Sequence, residues 1–143
     1  MKLKKRILVA PLNWGLGHAT RCIPIINALL EFGFEPIIAS DGPALDLLKK
    51  EFNELKHIEL PSYKIKYPKK GNNLKLKLLK DAPKTLKAIK AERKQINALV
   101  KNLKIDGIIS DNRFGVYSKE IPSIFITHQL NVLSGNTTWF SSR

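Results

Sequence analysis

An α/β fold, with a parallel sheet covered by helices on both faces, is what this 143-residue sequence predicts. Three observations carry that expectation. Short apolar runs without polar alternation, such as Ile7-Leu-Val-Ala-Pro-Leu12, are what strands buried on both faces require. These runs alternate along the chain with segments of helical period. Polar clusters recur directly after the runs, where the carboxyl ends of parallel strands gather a ligand in a Rossmann-like sheet.

Taken in order, Ile7–Leu12 is the first strand and Asn13–Gly17 a turn. A helix follows from about His18 to Phe32, with Cys22, Ile25, Ile26, Leu29 and Leu30 as its buried stripe and Gly33 as its stop. Glu35–Ser40 is the second strand. Asp41, Gly42 and Pro43 open a second helix that runs to about Phe52, with Pro43 suited to its first turn. Lys56–Leu60 is a third strand. Tyr63 to Tyr67 alternates, and Pro68 to Asn73 breaks any regular element. Asp81 is placed to cap a third helix, with Pro83 in its first turn and Leu86, Ile89, Ile96, Val100 and Leu103 on one apolar stripe. Ile105–Ser110 and Ile121–Thr127 are the fourth and fifth strands, joined by a short helix or turn over 114–120. Residues 129–143 show no clear period.

The chain carries 25 Lys+Arg against 12 Asp+Glu, a net charge of +13, which favours an anionic partner. Its distribution says more. Residues 64–104 hold 14 basic side chains against only Asp81 and Glu92, so 12 of the 13 excess charges lie there. The rest is nearly neutral. The segment reads first as a solvated lysine-rich face. Its start, where Tyr63, Ile65 and Tyr67 interleave with Lys64, Lys66, Lys69 and Lys70, also suits an anionic membrane surface. Nucleic acid is the weaker reading, because no recognised binding module is present.

Other classes fall away. A single cysteine, Cys22, forms no internal disulfide, and one Cys with three His shows no zinc spacing, so no metal is expected. No apolar run approaches the roughly 20 residues that span a bilayer. The basic start, Met1 to Arg6, leads into too short an apolar core for a signal peptide. The expected setting is a reduced, cytoplasmic one, with peripheral contact at the inner face of a membrane if the cationic segment docks there.

The richest motif is Asn13-Trp-Gly-Leu-Gly-His-Ala-Thr-Arg21. Gly15 and Gly17 permit a tight strand-to-helix turn and close approach of a ligand, and backbone N–H groups at the helix start hold phosphate. The dinucleotide pattern is incomplete, since Thr20 stands where a third glycine belongs. Asp41, near the distance of a ribose-binding acid, keeps a nucleotide-cofactor reading open. His18 at the mouth of the crevice is a candidate base, and Asp111 at the end of the fourth strand is the best-placed carboxylate to orient it. Asn13, Asn112, Arg113, His128 and Gln129 are candidates to line the cleft. Arg21 reads as an ion-pairing surface residue or an anion contact, and Cys22 as core.

Gly15-Leu-Gly-His18 after a buried strand, followed later by Ile108-Ile-Ser-Asp111 and Phe114-Gly115, resembles the N-terminal half of GT-B glycosyltransferases, nearest to family 28, the MurG-like enzymes. The resemblance covers nearly the whole chain. It implies transfer of a sugar from a nucleotide sugar, as in a UDP-sugar, to a hydroxyl acceptor, with no metal or other cofactor and with a lipid-linked acceptor as one option. It places Gly15, Leu16 and Gly17 against the donor diphosphate, His18 as base and Asp111 as its orienter. It makes 1–143 the acceptor-side domain and puts the donor-binding domain outside this sequence, so that this stretch alone is expected to be inactive. Two rival classes stand beside it: a nucleotide-binding oxidoreductase or sugar-nucleotide epimerase, and a non-enzymatic polyanion-binding module.

Overall fold

The computed structural model describes residues 4–63 and 74–127. Five strands, β1 (Arg6–Pro11), β2 (Glu35–Ser40), β3 (Lys56–Glu59), β4 (Gly107–Asp111) and β5 (Ser123–Ile126), alternate with helices α1 (Gly17–Glu31), α2 (Gly42–Glu51) and α3 (Leu74–Asn102). All pairings are parallel, in the order β3-β2-β1-β4-β5. The Rossmann-like α/β class expected from the sequence is the one observed.

Side-chain alternation along each strand splits the core in two. Leu8, Ala10, Ile37, Ala39 and Ile108 face Ile96 and Val100 of α3. Val9 and Ile38 face the opposite way, onto Ala19, Cys22 and Ile26 of α1 and Ala44, Leu45 and Leu48 of α2. Both faces of the central strands are therefore dry, which is why their sequences read as unbroken apolar runs. The apolar side chains of α1 at helical spacing and the short α1–β2 and α2–β3 connections leave little freedom in how these units stack.

Three expectations are corrected. The third helix begins at Leu74 rather than near Asp81, and Pro83 lies inside it rather than in its first turn. The upstream run Leu74-Lys-Leu-Lys-Leu-Leu-Lys80 has strong helix formers throughout, and these outweigh the local stop that Asp81 and Pro83 suggested. Leu86, assigned to the buried stripe, is exposed, whereas Glu92 is buried within it. Residues 114–120 form turns and bends, the second of the two forms expected for them. The fifth strand departs from its neighbours as well. Ile124 and Phe125 are exposed, and Phe125 contacts the exposed ring of Phe114 at a centroid distance of 5.7 Å. No helix among the described residues is long and apolar enough to cross a membrane.

Candidate active site at the sheet switch point

The strand order reverses between β1 and β4, so the connections leaving these two strands diverge and open a crevice at their carboxyl ends. Pro11 and Asp111 are register partners there. The turn after β1 reaches α1 through Gly15, whose φ of +72° lies where only glycine sits without strain. Leu16 precedes the helix without any side-chain cap to its N–H groups. Gly17 differs from the expectation: it begins α1, and a Cβ there would meet nothing within 4 Å. The open space at the helix start is real, but packing does not demand the glycine.

This turn carries His18 to Asp111. His18 Nδ1 lies 3.1 Å from Asp111 Oδ1, with both side chains buried. Arg21, one turn along α1, grips the same carboxylate: Nε donates to Oδ2 at 3.0 Å, and Nη2 contacts Oδ1 and Oδ2 at 2.8 Å each. Nη2 also lies 2.9 Å from His18 Nδ1. The sequence expectation pairs His18 with Asp111 and gives Arg21 as a surface ion pair or an anion contact; it is an ion pair, with the buried Asp111 as its partner. The spacing His18–Arg21, i to i+3 on one helix, was the available signal that Arg21 shares their face. Asn112, directly after Asp111, has φ +57°, a left-handed backbone that Asn tolerates better than most residues and that often marks functional turns.

Asn13 and Arg113 sit differently from the cleft-lining positions expected of them. Asn13 Nδ2 donates to Asp41 Oδ2 at 3.2 Å, and its Oδ1 accepts from the Ala44 N–H at 3.3 Å, so it tethers the start of α2. Arg113 is fully buried. Nη1 donates to Asp41 Oδ1 and Nε to Glu92 Oε1, both at 2.6 Å, and Nη2 to the Pro61 carbonyl at 2.8 Å. Glu92 Oε2 in turn accepts from the Tyr63 hydroxyl and, at 3.1 Å, from the Gly115 N–H. Burial, and then the hydrogen bond to Glu92, raise the Tyr63 hydroxyl well above the usual phenol range. A Cβ on Gly115 would stand 2.5 Å from Glu92 Oε2 and 2.7 Å from the Ile89 carbonyl, so this loop approaches α3 only as glycine. Glu92 was missed because it occupies a stripe position that pattern reading reserves for apolar residues. Its rarity was the clue, as one of two acids in the cationic segment.

Cys22, on α1's buried face, has its thiol pushed up to about 12 by burial first and by the charge of Asp111 second, with Arg21 opposing. Among the described residues no group of three or more His, Cys, Asp or Glu is placed to hold a metal ion. His128, Gln129, Lys64, Lys66, Lys69 and Lys70 lie outside the described residues.

No protein-family model and no curated protein sequence matches the chain. Solved structures do. MurG from Acinetobacter baumannii aligns with a TM-score of 0.55 at 18% identity, over 99% of this chain and 39% of that one. The C-terminal domain of a hydrogenase from Pyrococcus furiosus aligns in two crystal structures. One has a TM-score of 0.54 at 15% identity over 89% of this chain and 94% of that one. The other has 0.54 at 13%, over 88% and 95%. Likeness at such identities shows the shared fold. The chain spans about two fifths of MurG and nearly all of the hydrogenase domain.

Proposed function

We propose that residues 1–143 form the acceptor-side domain of a glycosyltransferase that moves a sugar from a nucleotide sugar to a hydroxyl acceptor. The observation that carries this reading is the contact of His18 Nδ1 with Asp111 Oδ1 at 3.1 Å, at the switch point of the sheet. A carboxylate on Nδ1 orients the ring so that Nε2 holds the lone pair that accepts a proton from a hydroxyl. In the reaction, the acceptor oxygen bonds to the sugar's anomeric carbon as the bond from that carbon to the donor phosphate oxygen breaks. The hydroxyl proton passes to His18, and the electron pair leaves with the nucleoside diphosphate. The uncapped N–H groups after Leu16 suit the diphosphate. The likeness to MurG supports this at the level of fold. Because the chain spans 39% of MurG, we place the donor-binding half outside residues 1–143.

The nucleotide-cofactor alternative needs Asp41 to reach a ribose. Its carboxylate is instead taken by Arg113 and Asn13, which argues against that assignment. The test is transfer of labelled sugar from a panel of nucleotide sugars by the natural-length protein and its His18→Ala variant. The expected loss is about 10²–10⁴-fold, the usual worth of a general base. An unchanged rate excludes His18 as the base, and tight NAD binding without any transfer restores the cofactor reading.

A further inference from the structure

The two halves of the site leave the sheet on separate turns, and one buried carboxylate joins those turns. His18 follows the turn after β1, and Asp111 ends β4. Backbone pairing holds the two chains together as far as the Leu12 N–H, which donates to the Asp111 carbonyl at 2.9 Å. Beyond it they part, through Asn13 on one side and Arg113 on the other. Asp41, directly after β2, bridges them: its Oδ2 accepts from Asn13 Nδ2 at 3.2 Å and its Oδ1 from Arg113 Nη1 at 2.6 Å. Both arms are themselves fixed. A Cβ on Gly42 would stand 2.5 Å from Asn13 Nδ2, so the Asn13 side chain lies close against that backbone. The Arg113 carbonyl accepts from the Ser110 hydroxyl at 2.8 Å, which closes the turn that follows Asp111. Between Asn13 and α1, a Cβ on Gly15 or Gly17 would meet nothing within 4 Å, so packing at those two positions does not set the path of the turn.

We propose that Asp41 is a positioning residue, which sets the separation of His18 and Asp111 by tying Asn13 to Arg113. A buried ion pair adds little net stability over apolar packing of the same volume, and its distinctive contribution is to specify one arrangement. The arrangement specified here is the placement of a base against the carboxylate that orients it. A misplacement of about 1 Å at such a point costs on the order of 10²-fold in rate. Asp41 acts on the chemistry only through the two turns, since its oxygens are given to Asn13 and Arg113. That His18 serves as a base rests on the function proposed above. That Asp41 sets the place of its ring does not.

An exchange of the two side chains tests the bridge. Asp41→Asn keeps an acceptor for Arg113 but turns an amide donor toward Asn13 Nδ2, so the bridge breaks. Adding Asn13→Asp rebuilds it with donor and acceptor reversed, and position 13 still accepts from the Ala44 N–H. Two readouts follow these variants in the natural-length protein. The carbon-bound ring protons of His18, identified in NMR spectra by their loss in His18→Gln, need no substrate. In Asp41→Asn they are expected to shift toward their positions in Asp111→Asn, and in the exchanged pair to return to those of the wild type. Transfer of labelled sugar is expected to lose about 10–100-fold in kcat with KM little changed in Asp41→Asn, and to recover most of that loss in the pair. Asn13→Ala, which breaks one arm only, is expected to act in the same direction and stands in should Asp41→Asn fail to fold. Leu48→Ala, which opens a cavity in the packing of α2 outside the bridge, is expected to lower stability and leave both readouts at wild-type values. Unmoved ring signals in Asp41→Asn, no return in the exchanged pair, or an equal change in Leu48→Ala overturns the proposal. Ring signals that follow the bridge in a protein that turns over no nucleotide sugar uphold the bridge and count against the transferase assignment alone.

Discussion

Arg113 and Arg21 each grip a fully buried carboxylate at the carboxyl edge of the sheet, yet Arg113 has no exposed side-chain surface and Arg21 has more than a third. Around Arg113 every demand is met from both sides. Asp41, Glu92 and the Pro61 carbonyl accept from it, while Tyr63, Gly115 and Asn13 complete the carboxylates. Such a closed set ties the loops after β2, β3 and β4 to α3 and specifies one arrangement. Around Arg21 the demands compete, since His18 and Arg21 seek the same carboxylate and each other. Satisfied polar networks hold folds together, and conflicting ones mark sites where chemistry is done.

The largest effect is expected at Arg113. Arg113→Met leaves Asp41 and Glu92 buried without their cation, and the expected loss is about 3–5 kcal/mol in denaturant unfolding. A loss under about 1 kcal/mol would deny the network its structural role. Gly115→Ala should cost about 1–3 kcal/mol by crowding Glu92 and Ile89, read in the same melts; a neutral result would mean that the loop gives way easily. Arg21→Met should cost less than Arg113→Met, about 1–2 kcal/mol, because His18 takes over Asp111 and water reaches the gap. Equal losses at the two arginines would mean that the two polar networks do not differ in how much stability they carry.

A smaller effect comes from pH. The Cys22 thiol rises from its ordinary value of 9.0 to about 12 in the folded chain. Above pH 9 the unfolded chain therefore gives up its thiol proton first and binds fewer protons than the native one, so stability falls as pH rises from 9 toward 12. Tyr63 acts in the same direction. Cys22→Ser should flatten part of that alkaline slope in a pH series of melts, and native Cys22 should resist alkylation at neutral pH. Rapid alkylation would show that its burial is not what raises it.

Much of the architecture was legible because the central strands are dry on both faces and the helices α1 and α2 are short and regularly striped. The pairing of His18 with Asp111 was legible only as far as both lie after strands. That β1 and β4 are neighbours is a property of the sheet order, which no local pattern in Ile7–Leu12 or Ile105–Ser110 encodes. Pattern reading failed where a charge stands in for an apolar residue, as Glu92 does, and where a local stop such as Asp81-Ala-Pro83 is overruled by upstream propensity. The ion pair of Arg21 was foreseeable, but its partner was not, because Asp111 is distant in sequence.

The most direct test is the turnover of Asp111→Asn in the natural-length protein with a nucleotide sugar and a hydroxyl acceptor. The amide keeps the shape of the carboxylate and removes its charge and one acceptor. With His18 as the base proposed above, kcat is expected to fall about 10²–10⁴-fold with KM little changed, as for a base that has lost its orienting carboxylate. An unchanged kcat in a folded variant would contradict it.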